Sequence, residues 1–137
     1  MTNQEKKKYL LQYRGLEGEI DRLIEELGEQ RAKAQKMTAV YSDLLKGQPA
    51  GDSLARAVER MIELEEKLNA RINKQVDLRM EIERGIEAVT DHRLREVLLR
   101  RYVLGQKWEE IALAMHYCRQ RIWELHGKAL THFQKRG

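Results

Sequence analysis

Pro49 is the only proline in 137 residues, and it separates two long segments in which apolar side chains recur at helical spacing. Proline interrupts helices, so its absence elsewhere allows long helices on both sides. Charged residues make up 35% of the chain, and no stretch of alternating β-branched residues occurs. The usual charged share is about 25%. The sequence therefore predicts an all-α fold and argues against a sandwich, a barrel or a parallel-sheet enzyme.

The first segment contains a heptad seam. Such a seam is typical of a helix that packs along a narrow stripe. After a loop predicted for residues 38–52, a second amphipathic helix of about 35 residues follows, which Asp52 or Ser53 would cap. The two helices form either an antiparallel hairpin or part of a coiled coil between protomers, so residues 1–90 are interpreted as a packing or dimerisation arm. The seam residues are Tyr9, Tyr13, Leu16, Ile20, Leu23 and Leu27.

The positive net charge lies in the last third of the chain. Residues 1–90 carry 16 Lys and Arg against 17 Asp and Glu, whereas residues 91–137 carry 10 against 5, together with all four histidines. A basic excess favours a nucleic-acid partner, although ordinary helical domains also show a modest one. The charge and histidine content thus change near residue 90, and Asp91 can cap a new helix there. We therefore predict a domain boundary near residue 90.

Residues 91–137 have the layout of a helix-turn-helix domain. One short helix, with an apolar face that includes Leu94 and Tyr102, ends at Gly105. A second helix begins near Trp108, a tight turn follows at His116, and a third helix completes the domain. Two helices joined by a short turn within about 25 residues are typical of this motif. The predicted core between the helices is Ile111, Met115, Ile122 and Leu125, with the small Ala112 where they cross.

Residues 108–130, WEEIALAMHYCRQRIWELHGKAL, resemble region 4 of bacterial sigma factors. Within them, RxRI at 119–122 and LxxKAL at 125–130 are similar to that family's recognition-helix signature, and REVLxxRY at 95–102 resembles the preceding helix. With YLxxYRxL at 9–16 and EIDRL at 19–23, the whole chain is similar to phage-encoded transcription regulators of the ArpU/RinA type. This resemblance implies a promoter-binding domain at residues 91–137.

The third helix supplies the candidate DNA contacts. Arg119 can pair bidentately with guanine, Gln120 with adenine, and Glu124 can accept from a cytosine amino group. The resemblance places the promoter-reading positions of the sigma family at these same three residues. Gln120 and Glu124 depart from the usual Glu and Gln, so the recognised base sequence stays open.

Three further residues complete the predicted DNA-binding set. Arg121 and Lys128 fit phosphate contacts, which orient a protein without reading sequence. Trp123 either touches a thymine methyl group or packs on the N-terminal helices or a partner chain, and packing is the favoured interpretation. For each charged residue taken alone, a solvated surface charge is the alternative. Gly127 is predicted to permit a close contact within the third helix.

Catalysis finds no support in the sequence. It contains neither a Ser/His/Asp or Cys/His set nor a glycine-rich phosphate loop, so we predict no enzyme activity and no cofactor. The spacing of His116, His126 and His132 is unlike a zinc site, so no metal is predicted. Cys118, the only cysteine, indicates a reducing compartment, and no apolar run reaches the length of a membrane span. We therefore predict a cytoplasmic protein.

The leading hypothesis is a sequence-specific transcription regulator that acts at promoters, a late-gene activator encoded by a phage or prophage. It would bind double-stranded DNA, with RNA polymerase and a second copy of the chain as further candidate partners. The alternative is a DNA-packaging recognition subunit, a small terminase, which also joins a helix-turn-helix to long oligomerising helices. A third possibility is a basic face that binds an acidic protein. Because 47 residues bury little apolar surface, the N-terminal helices are expected to pack on residues 91–137 or to dimerise them.

Overall fold

A computed structural model of the chain describes residues 1–44 and 51–136, and this part contains helices joined by short connections, with no strand. It confirms the all-α prediction. Within these residues, no helix is both long enough and apolar enough to cross a membrane. The helices are α1 (Asn3–Leu44), α2 (Gly51–Glu87), α3 (His92–Leu98), α4 (Trp108–Met115) and α5 (Arg119–His132), and a π-helical turn over Leu99–Val103 continues α3.

The chain divides into two compact units. The first, called here the terminal unit, combines residues 1–17 with residues 74 onward, and the second, the middle unit, comprises residues 18–73. The predicted domain boundary near residue 90 lies inside the terminal unit. Both long helices contribute residues to both units, since α1 and α2 run through the divisions without interruption.

In the middle unit, α1 and α2 pack against each other as an antiparallel pair. Leu27 on α1 and Leu64 on α2 are buried. Ion pairs join Glu26 to Arg60 at 2.6 Å and Glu19 to Arg71 at 3.3 Å, and the order of these partners is reversed between the helices. Of the two arrangements open for the seam, the pairing within one chain is the one the structure shows.

The loop predicted for residues 38–52 is wrong at both of its ends, which are helical. α1 continues to Leu44 and α2 already begins at Gly51, while residues 45–50 lie outside the described part. Residues 38–44 contain neither glycine nor proline, and the Thr38 hydroxyl donates to the carbonyl of Ala34 at 2.8 Å, a contact made within a helix. Asp52 therefore lies in the first turn of α2 and does not precede it.

In the terminal unit, the ends of the long helices share one core with α3, α4 and α5. Tyr13 of α1 and Ile82 of α2 belong to the same buried cluster as Val97, Ile122 and the other apolar residues of the last three helices. The expectation that the N-terminal helices pack on residues 91–137 is thus confirmed for their ends. A domain this small gains apolar burial from the added helices.

The entry and exit of α3 follow the local chemistry expected from the sequence. The Asp91 carboxylate accepts from the backbone N–H of Arg93 at 2.9 Å and caps the helix. Hydrogen bonds from the Arg93 guanidinium, followed by this backbone hydrogen bond, lower the pKa of Asp91 below its usual value. After the π-helical turn, Gly105 adopts φ +70°, and the guanidinium of Arg14 occupies the space that a Cβ would need. The positive φ favours glycine there, since a side chain in this conformation is strained even if Arg14 moves aside.

The chain ends by packing back onto the long helices. Phe133, directly after α5, is fully buried and its ring centroid lies 6.2 Å from that of Tyr9. A Cβ at Gly85 of α2 would lie 2.6 Å from the Phe133 ring. The contact between α2 and the carboxyl-terminal tail therefore depends on the absence of a side chain at residue 85.

Candidate nucleic-acid interface

The turn between α4 and α5 is made by His116 in a left-handed conformation. Its φ of 59° and ψ of 39° make it the only non-glycine residue with positive φ in the described part of the chain. The next N–H, of Tyr117, donates to the carbonyl of Ala112 at 3.1 Å, a hydrogen bond typical of a helix that ends in a left-handed residue. The prediction that His116 occupies a turn position where glycine is common is therefore confirmed.

The inner sides of α4 and α5 form the predicted core. Ile111, Ile122 and Leu125 are buried almost completely, and Met115 and Ala112 are partly buried against the same cluster. Because these residues fix one side of α5 inward, the opposite side is left to solvent. The sequence pattern was sufficient to predict this core, because both helices are regular and their apolar stripes face each other.

The predicted DNA contacts lie on the outer side of α5. Gln120 and Glu124 are four residues apart and lie on the same side of the helix, next to Arg119 and Trp123, another pair at the same spacing. Five of the six residues are exposed, and Arg121 is half-buried. The structure thus brings together on one helix all six residues: Arg119, Gln120, Arg121, Trp123, Glu124 and Lys128.

Two of the arginines are held by carboxylates. Arg119 forms an ion pair with Glu109 of α4, with 53% and 60% of the two side chains exposed, and Arg121 pairs with Glu124 at 3.2 Å. Exposed pairs of this kind contribute about 0–1 kcal/mol. Glu109 was not singled out from the sequence. Its role depends on how α4 crosses α5, and no pattern within either helix shows that.

Two predictions about α5 need correction. Trp123 is 55% exposed, so it does not pack into the N-terminal helices, whereas packing on a partner chain and contact with a thymine methyl group both stay predictions. Its position on the outer side of α5 keeps an apolar ring in contact with solvent. Gly127 has no neighbour within 4 Å of the place where a Cβ would stand, so no close approach within this chain requires a glycine there.

A cluster of aromatic side chains fixes the side of α5 that faces α4. His126 Nε2 and the Tyr102 hydroxyl are joined by a hydrogen bond of 2.6 Å. The His126 ring also meets Trp108 edge-on at a centroid distance of 4.7 Å, and the Arg101 guanidinium lies over the Trp108 ring at 4.5 Å. These contacts tie α5 to the first residue of α4 and to the π-helical turn, and so set how far α5 projects.

The same cluster keeps the imidazole neutral. Burial, followed by the positive charges of Lys7 and Arg101, lowers the pKa of His126 to about 4. Burial also raises the pKa of Tyr102 to about 12. At neutral pH both groups are therefore uncharged, and their hydrogen bond is a structural contact beneath the outer face of α5.

Comparison with protein-family models, with curated proteins and with solved structures finds no match for this chain.

Proposed function

We propose that this chain is a sequence-specific transcription regulator that binds double-stranded promoter DNA through the outer side of α5. The observation that carries the proposal is the division of α5 into two sides. Ile122 and Leu125 hold the inner side in the core, while Arg119, Gln120 and Glu124 stand exposed on the outer side. Such side chains at the amino-terminal half of a projecting helix are suited to reading base edges in the major groove.

The energetics favour base contact over the ion pair of the free protein. Releasing Arg119 from Glu109 costs about 0–1 kcal/mol, because both side chains are largely exposed. A bidentate contact with guanine is worth about 1–3 kcal/mol of discrimination. Arg119 therefore gains by exchanging its partner, and the ion pair with Glu109 competes only weakly with a base contact.

The basic excess of residues 91–137 also supports DNA as the partner. Residues 91–137 carry 10 Lys and Arg against 5 Asp and Glu. Lys128 and Arg121 lie seven residues apart, two turns along one side of α5, where they can follow a phosphate backbone. The resemblance to sigma region 4 and to phage regulators points to promoter DNA, in a cytoplasmic protein that carries out no reaction and uses no metal or cofactor.

The proposal is tested by selecting duplexes from a random library with the full chain and measuring affinity for the enriched sequence. We expect Arg119→Ala to weaken binding to that sequence by about 5- to 150-fold, corresponding to 1–3 kcal/mol, and to change binding to unrelated duplex much less. Arg22→Ala, which removes an exposed arginine from the middle unit, is the control and should leave both affinities unchanged.

Each other result has a distinct meaning. Failure to enrich any sequence, or an Arg119→Ala variant that binds the enriched duplex as tightly as the wild type, contradicts the proposal. An enriched sequence that lies at a DNA-packaging site, with a protein that forms rings in solution, supports the small-terminase alternative. Absence of duplex binding even at low salt supports an acidic protein as the partner.

A further inference from the structure

The first two turns of α1 are docked along the carboxyl-terminal half of α5. The Lys6 ammonium donates hydrogen bonds to the backbone carbonyls of Leu130 at 2.9 Å and Thr131 at 3.1 Å. The Asn3 side-chain amide donates to the Thr131 hydroxyl at 3.1 Å and approaches the Gly127 carbonyl at 3.5 Å. Carbonyls in the last turn of a helix lack partners within it, so Lys6 satisfies them and its charge complements the helix dipole.

This contact falls on the stripe of α5 that also carries predicted DNA contacts. Gln120, Trp123, Gly127 and Thr131 follow one another at spacings of three and four residues, and so lie along one side of the helix. Asn3 covers the carboxyl-terminal end of this stripe, while Gln120 and Trp123 stay exposed. A duplex seated on the open half of α5 would therefore lie beside the amino end of α1.

Lys7 is an exposed cation of α1 on this flank. It lies one turn beyond Asn3 on the same side of α1, and two turns further Arg14 donates to the carbonyl of Val103 at 3.4 Å, ahead of α4. Its ammonium is near enough to α5 for its charge to add to burial in lowering the pKa of His126. Lys7 thus lies between the hydrogen bonds that Asn3 makes with α5 and the one that Arg14 makes ahead of α4.

Lys7 is also available for a ligand. Its side chain is exposed, and within residues 1–44 and 51–136 it forms no ion pair. Lys6, by contrast, is committed to the carbonyls of α5. An exposed ammonium beside a helix that reads bases can bind a backbone phosphate as a point charge.

We infer that Lys7 contacts a DNA phosphate and that the amino end of α1 forms one edge of the DNA-binding surface, beside the open half of α5. The inference rests on the proposed function and deepens it. It adds a contact between the DNA backbone and a helix outside residues 91–137. The long N-terminal helix then contributes to DNA binding directly, in addition to packing in the core that supports α5. A phosphate contact positions the protein and adds affinity for any sequence.

The test uses the full chain and its Lys7→Gln variant, with the enriched duplex and an unrelated duplex, over a series of salt concentrations. We expect both affinities to fall by the same factor, and the slope of log affinity against log salt to become shallower by about 0.9. Lys74→Gln is the matched control. Lys74 is an exposed lysine of α2 that lines a cleft with Tyr9 and Gln12 on the other flank of α1.

The outcomes separate the two proposals. A Lys7→Gln variant with the wild-type slope, or with the same change as Lys74→Gln, overturns the inference while the proposed function stands. Loss of affinity for the enriched duplex alone overturns it too, since a phosphate contact is independent of sequence. A wild-type chain that binds neither duplex overturns the proposed function and this inference together. Circular dichroism checks that both variants, which change exposed side chains, keep the helical fold.

Discussion

Alanine in place of Gly85 tests how closely the carboxyl-terminal tail packs on α2. The added Cβ would lie 2.6 Å from Cε2 of Phe133 and 2.8 Å from the backbone oxygen of Gln134. Favourable carbon–carbon contacts need about 3.5–4.0 Å. The Phe133 ring is fully buried beside Tyr9, so it has little room to retreat, and the second clash is with backbone.

The expected magnitude follows from two opposing effects. Overpacking a buried site costs about 1–3 kcal/mol. Replacing glycine by alanine inside a helix returns about 1 kcal/mol. Gly85→Ala should therefore lower the free energy of unfolding by up to about 2 kcal/mol. Gly15→Ala is the control, because Gly15 is exposed within α1 with no neighbour within 4 Å of a Cβ, and it should raise stability by about 0.5–1 kcal/mol.

Urea denaturation measures both changes. Trp108 and Trp123 lie in the terminal unit, so their fluorescence reports on the unit that contains Gly85. Adding Phe133→Leu, which shortens the clashing side chain, should make the double variant less unstable than the sum of the two single changes. If Gly85→Ala is stabilised as much as Gly15→Ala, the tail does not pack on α2 as described.

Two further predictions concern α4 and α5. Glu109→Gln should strengthen duplex binding by up to about 5-fold in titrations, because it frees Arg119 from its ion pair. The control, Glu110→Gln, removes the same charge from a residue that pairs with no arginine in the described part of the chain, and should have a smaller effect. Equal effects of the two variants would refute this role for the ion pair. The pKa of His126 is about 4 in the folded protein and near 6.5 in the unfolded chain. Between pH 6.5 and pH 4 the unfolded chain therefore binds a proton that the folded protein does not, and this favours unfolding. Stability should fall by about 2 kcal/mol from pH 7 to pH 5, and His126→Gln should remove that part of the decrease in denaturation experiments; an identical pH dependence in both proteins would contradict the burial of a neutral ring.

The long helices were predictable because their packing repeats along the chain. Tyr13, Ile20 and Leu27 of the seam are all buried, as the heptad spacing indicates. Leu10 is fully buried as well, although it lies off the seam. It belongs to the core shared with the last three helices, and a second packing direction of this kind depends on residues far away in the sequence.

The glycines also show that packing between distant parts of the chain is not visible in the sequence. His116 could be placed at the turn from sequence, because a left-handed residue after a short helix is a local requirement. Gly127 and Gly85 both lie inside helices, yet only Gly85 has a neighbour that excludes a side chain. Which helical glycine is needed for packing depends on what approaches it, and Phe133 reaches Gly85 only through the tertiary fold.

The residues of the candidate site that lie on α5 could be predicted from the sequence, whereas their partners on other helices could not. The six residues on the outer side of α5 follow from its periodicity, since the apolar positions fix which side turns inward. The partners from other helices, Glu109 from α4 and Asn3 and Lys6 from α1, depend on how those helices cross α5. Spacing within one helix carries no information about such crossings.

Methylation interference on the enriched duplex tests most directly whether α5 reads base edges. A methyl group on guanine N7 blocks the major-groove atom that a bidentate arginine needs. We expect at least one guanine whose methylation prevents binding by the wild-type chain but no longer matters to Arg119→Ala. The same interference pattern in both proteins would show that Arg119 makes no such contact, and a pattern without any major-groove interference would contradict base reading by α5.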